Sequence, residues 1–257
     1  MGTTGFTQAN FDNENGKTFE SGIKNDKSQY QMFITQLKSE RTMPPKSIDD
    51  VTKMETSYKT LWYYTSRKAA KVANDLLELV SLDYDLNQTR CIDITGLCRK
   101  FGIEVYKNNN LPESISGRIY AYGTTADLYE GNSVVIINNG NESFEHRRFV
   151  SAHELGHFLF DCCGNAKYDS GDLLFDRSYK HPAKQHTSLE EKRADRFAAQ
   201  LLMPSNQFRL QYVMAAQSEM GKLLGREYVI DYLAKYFQVK ASSIERRLFE
   251  LLEDGGF

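Results

Sequence analysis

The chain has 257 residues, of which 40% are hydrophobic and 26% charged, enough for one large or two small globular domains. A formal net charge of −2 argues against a protein whose main work is coating nucleic acid. No apolar run approaches the roughly 18–20 residues that cross a bilayer, so no membrane partner is expected.

The four cysteines make neither a disulfide framework nor a zinc-finger spacing: Cys162 and Cys163 are adjacent, and Cys91 and Cys98 stand seven positions apart. They read as reduced thiols, with Cys162 or Cys163 as an extra metal ligand the alternative. The first residues, Met1-Gly-Thr-Thr-Gly-Phe-Thr7, carry no basic region and no apolar stretch of a secretion signal. A cytoplasmic location is the expectation.

Residues 1–26 are rich in Gly, Asn, Asp, Thr and Ser, a composition that buries too little apolar surface to offset its ordering entropy. Tyr30, Phe33, Ile34 and Leu37 then recur at helical spacing over 26–40, and Met43-Pro44-Pro45 stops that helix. Residues 1–45 are therefore expected to form a flexible or partner-binding extension. A long helical pattern follows from Val51 through Trp62 to Val80, and a shorter one over 93–101 ends at Gly102. Residues 103–106, 117–122 and 133–138 alternate or are β-branched, which predicts three strands of a small, largely antiparallel sheet. Residues 143–160 are expected to be one helix, and 161–187 a polar connection without strong period. Thr187-x-x-Glu190 has the form of a capping box and opens a helix to about Leu202, closed by Met203-Pro204. The tail 205–252 is helical by period. The fold class is α+β: a small mostly antiparallel sheet on a helical core, with helical N- and C-terminal extensions. The expected divisions are 1–45, a catalytic domain over 46–204, and a helical segment over 205–257 packed on that core.

The chemistry centres on His153-Glu154-Leu155-Gly156-His157. Residues i and i+4 stack on one face of a helix, so both imidazoles reach one metal ion at about 2.0–2.1 Å. Glu154 sits about 100° round the helix, placed to act on a metal-activated water without ligating the ion. An ordinary helix with two half-buried histidines is the plainer alternative. A catalytic zinc needs a third protein ligand, and the helix opened by Thr187 offers Glu190, Glu191 and Asp195. The division read from these residues makes Glu191 the ligand, Asp195 the acceptor for one histidine's second N–H, and Glu190 part of the cap.

His153-Glu-Leu-Gly-His157 followed by Glu191-Lys-Arg-Ala-Asp-Arg-Phe-Ala-Ala-Gln-Leu-Leu-Met-Pro204 resembles the ImmA/IrrE family of metallopeptidases, over roughly residues 69–252. The resemblance implies a gluzincin-like peptidase with His153, His157 and Glu191 as ligands and Glu154 as general base. Characterised members of that family cleave helix-turn-helix repressors of mobile elements or of a DNA-damage response, so the implied partner is such a repressor. Members often carry a histidine four residues after the second zinc histidine, where this chain has Asp161.

The implied reaction is zinc-dependent peptide hydrolysis, with manganese or iron as alternative ions. Candidate donors to the tetrahedral oxyanion are His181, His186, Tyr168 and Tyr179, all on the polar connection. The candidate substrate strand is Ser133, Val134, Val135, Ile136 and Ile137, which would take an extended peptide by strand addition if one edge is exposed. Two other functions are weighed: a non-catalytic regulator that sequesters a repressor, and a DNA-binding regulator using 229–248 as a helix-turn-helix. Between 205 and 257 seven Lys and Arg stand against seven Asp and Glu, which leaves no electrostatic footprint for phosphate.

Overall fold

The computed structural model describes residues 27–42, 58–83, 91–121, 134–163, 175–180 and 189–253. In chain order these give α1 (Lys27–Thr42), α2 (Tyr58–Asp83), α3 (Ile94–Lys100), β1 (Glu104–Asn108), β2 (Ile115–Ala121), β3 (Val134–Asn139) and α4 (Phe144–His157). After one π-helical turn, Phe158–Cys162, come β4 (Phe175–Lys180), α5 (Leu189–Leu202), α6 (Ser205–Gln217), α7 (Glu219–Leu224), α8 (Arg226–Phe237) and α9 (Ala241–Glu253). The fold is α+β, as the sequence indicates. The first part of the long helix expected from Val51, and the capping box at Thr187, lie outside the described residues.

The sheet has the order β1-β3-β2-β4. β1 pairs with β3 in parallel, while β2 pairs antiparallel with both β3 and β4. Two ladders of the three are antiparallel, so the sheet is mixed. β4 was not expected: the sequence read 161–187 as an irregular connection, yet Phe175–Lys180 pairs with β2. Asp176, Arg177 and Ser178 hide it from any apolar alternation, because what makes it a strand is a partner supplied by the tertiary fold.

All six residues of β3 are buried. Val134 and Ile136 join the main core, and Asn138 on the same face donates to Ser151 Oγ of α4 at 2.8 Å. This central position overturns one expectation. With β1 on one side and β2 on the other, Val135, Ile136 and Ile137 have both edges paired, Val134 is paired with Ala121 of β2, and the strand cannot take a further one; Ser133 lies outside the described residues. The continuous apolar run is the mark of a strand buried on both faces, not of one awaiting a peptide.

One core joins the elements. Leu76 and Val72 of α2, Ile136 of β3, Leu155 of α4, Phe197 and Leu201 of α5, and Phe208, Leu233, Phe237 and Ile244 of the C-terminal helices belong to a single buried cluster. Tyr30 of α1 is fully buried in it and meets Phe101 edge-on at 5.4 Å. Gly102, at φ 75°, reverses the chain after α3 in the left-handed region that a side chain would resist. Arg148 of α4 acts as a buried tie. Its guanidinium donates to the carbonyls of Phe237, Gln238 and Ile92 at 2.8–2.9 Å, and so clamps α4 to the end of α8 and the start of α3. Among the described residues, no helix is long and apolar enough to cross a membrane.

Candidate metal centre

Two helices build the site. α4 starts at Ser143, whose hydroxyl accepts from the His146 N–H at its N-terminus, and carries His153 and His157 on its buried face. α5 lies across it and carries Glu191. The contact is close because small residues meet there. A Cβ on Gly156 would stand 3.1 Å from Phe197 Cδ1 and 3.2 Å from Ala194 Cα, so glycine inside the motif sets how near Glu191 comes to the histidines.

The three side chains converge. His153 Nε2 and His157 Nε2 are 3.0 Å apart, and the Glu191 carboxylate lies 3.3 Å from the first and 3.4 Å from the second. Three donors held at about 2.0–2.1 Å on a tetrahedral ion would stand roughly 3.3 Å from one another. The triangle therefore has the dimensions that such an ion needs. Among the described residues this is the group of His, Cys, Asp and Glu side chains able to hold a metal.

The far side of each ring sets its electronic character. His153 Nδ1 is 2.9 Å from Asp195 Oδ1, and His157 Nδ1 is 2.7 Å from Asp161 Oδ2. A carboxylate only accepts, so each Nδ1 carries the hydrogen and each Nε2 turns a lone pair towards the other. Two lone pairs facing at 3.0 Å repel unless a cation lies between them. In the ion-free protein a proton serves. Burial opposes charge on His153, but its bonds to Asp195 and Glu191 and the charges of Asp195 and Glu154 outweigh that, and its pKa is pushed up to about 10. Glu191 loses some acidity to burial, yet the two histidines hold its carboxyl well below the usual range. The site thus favours a cation bound by two imidazoles and one carboxylate.

Each supporting carboxylate is itself held by an arginine. Arg193 bonds Asp161 from α5, and Arg246 of α9 reaches Asp195 Oδ2 at 3.2 Å. Glu154 is completely buried beside this group. In the sequence Asp161 marks a departure from the family pattern and nothing more. Its place four residues beyond His157, on the same helical face, was the signal that could have found it. Arg193 and Arg246 gave no such signal. Of the other candidates, Tyr168, His181 and His186 lie outside the described residues, and Tyr179 sits in β4 opposite Gly117, its backbone alone described. Cys162 and Cys163 are buried, form no disulfide and do not belong to the metal-holding group.

No curated protein matches the chain. The family model described as Peptidase_M78, IrrE N-terminal-like domain, matches residues 98–249, from the end of α3 through both ligand-bearing helices and into α9. That span is more than half of the chain and contains the whole His153–His157–Glu191 group, and the chain belongs to this metallopeptidase family.

Proposed function

We propose that this protein is a zinc-dependent endopeptidase whose substrate is a helix-turn-helix transcriptional repressor, cut in the cytoplasm as an anti-repressor step. The observation that carries the peptidase reading is the triangle of His153, His157 and Glu191 with the buried Glu154 beside it. The repressor comes from the ImmA/IrrE resemblance, and four cysteines that form no disulfide favour a reducing compartment. In the proposed division, 46–204 carries the catalysis, 205–257 is a helical segment packed on it, and 1–45 is an extension whose helix α1 is anchored in the core by Tyr30 and Leu37.

The roles follow from placement. His153, His157 and Glu191 are the proposed ligands, Asp195 and Asp161 fix the two imidazole tautomers, and Glu154 is the general base. A divalent ion held there supplies Lewis-acid polarisation of the scissile carbonyl and lowers the pKa of water towards ~7. Glu154 takes the proton of the attacking water and returns it to the leaving amine. The oxyanion donor is drawn from Tyr168, Tyr179, His181 and His186. Among the described strands β4 lies at a sheet edge, and it is the proposed track for an extended substrate.

Elemental analysis tests the core of this. One zinc per chain is expected in the wild type and in Glu154→Gln, and none in Glu191→Ala. A wild type that takes up no metal after reconstitution refutes the peptidase reading and leaves a binding protein on a peptidase scaffold. With metal in place, the right oxyanion variant lowers kcat and keeps its zinc, whereas wild-type turnover in all four single variants removes that role.

A further inference from the structure

A cavity of about 270 Å³ lies on the Nδ1 side of His153, between α4, α5 and α9. Its floor is apolar and buried: Phe149, Ala199 and Met203. Lys240 and Arg246 stand at the rim, with the Arg246 side chain half exposed, and the fully buried Arg247 closes the inner wall. Two carboxylates also line the cavity, and both are engaged. Glu250 lies between Arg196 at 2.7 Å and Arg247 at 3.2 Å, and Asp195 is held between His153 and Arg246. The three cations of the lining, Lys240, Arg246 and Arg247, outnumber its two carboxylates over an apolar base, and Lys240 also pairs with Glu142 at 3.4 Å. Arg246 gives Nη1 to Asp195, and a guanidinium has five N–H groups in a planar fork, so a second edge is left for an anion.

We propose that this cavity binds a small organic anion, a carboxylate, sulfonate or phosphate head on an apolar body, and that Arg246 couples its occupancy to the metal centre through Asp195 and His153. The volume equals about nine waters, which suits a ligand on the order of ten non-hydrogen atoms. The head group takes the outer edge of Arg246 and Lys240, and the body covers Phe149 and Met203. An anion on that outer edge offsets the guanidinium charge felt by Asp195 and leaves the Asp195 charge more fully on the His153 N–H. The Nε2 lone pair then becomes a better donor to a metal. Linkage makes the effect reciprocal, so anion and metal tighten one another. The coupling rests on His153 being a metal ligand; the anion site does not.

Benzenesulfonate is a suitable probe, because a sulfonate is a weak metal ligand and the ring matches the floor. Calorimetry on the metal-free full chain should give saturable one-site binding, weakened at least tenfold by Arg246→Gln and by Lys240→Gln, and restored in part by Arg246→Lys. Melting curves establish that the variants are folded. Zinc affinity is then measured by chelator competition, with and without saturating benzenesulfonate. The expectation is three- to tenfold tighter zinc in the wild type and no change in Arg246→Gln. Absence of saturable binding, or wild-type affinity in either glutamine variant, overturns the site. Arg246-dependent binding with unaltered zinc affinity overturns the coupling, and a chain that binds no zinc overturns the metal reading while the anion result stands.

Discussion

Removing the Asp161 carboxylate should weaken metal binding without touching a ligand. Asp161 Oδ2 lies 2.7 Å from His157 Nδ1, on a ring that is 2% exposed, and Arg193 holds the other oxygen. In Asp161→Ala the buried N–H of His157 loses its acceptor, and the ring loses both its tautomer lock and the basicity that a carboxylate lends to Nε2. Changes to carboxylates behind metal-bound histidines cost about 10–100-fold in metal affinity, which is about 1.4–2.7 kcal/mol. Asp161→Asn should fall between alanine and wild type, because an amide oxygen still accepts the N–H but carries no charge. Asp75→Ala is the control: its 2.6 Å pair with Lys71 lies on the exposed face of α2, where such pairs contribute about 0–1 kcal/mol. Competitive titration of zinc against a fluorescent chelator at neutral pH measures all four proteins. If Asp161→Ala holds zinc within twofold of wild type, the idea that these carboxylates tune the histidines is refuted.

Glu154→Gln should keep full zinc occupancy and lose about 10²–10⁴ in kcat, read by cleavage of a protein substrate beside elemental analysis. Zinc affinity should depend on pH with a definite sign. A proton held by His153 up to about pH 10 competes with the metal, so affinity rises with pH by up to about tenfold per unit below that value; a flat profile between pH 6 and 8 contradicts the raised pKa. In the ion-free protein the raised His153 pKa stabilises the fold fully below the unfolded value of about 6.5, and that share is lost as pH climbs to about 10. Gly156→Leu should drive α4 and α5 apart, cost about 1–3 kcal/mol in a denaturant melt and remove zinc, since Phe197 and the Ala194 backbone occupy the space a side chain needs. Tyr30→Ala should cost about 3 kcal/mol or more, because that ring is fully buried against Phe101; a loss below 0.5 kcal/mol (about the scatter of surface changes) would detach α1 from the folded unit.

The sequence by itself determined what local spacing can carry. His153 and His157 share a face because a helix repeats every 3.6 residues, and Glu191 and Asp195 share one for the same reason. The α3 helix and its Gly102 exit were likewise legible, since a left-handed exit is read within a few residues. Tertiary structure decided everything that depends on distant partners. β4 is a strand because β2 lies beside it, and β3 is closed to a peptide because β1 and β2 flank it. Arg246 meets Asp195 across 51 positions of chain, and Arg193 meets Asp161 across 32. No periodicity encodes such contacts. They arise when small residues at Gly156 and Ala194 let two amphipathic helices close on one another, and when burial forces each charge in the gap to find an opposite one.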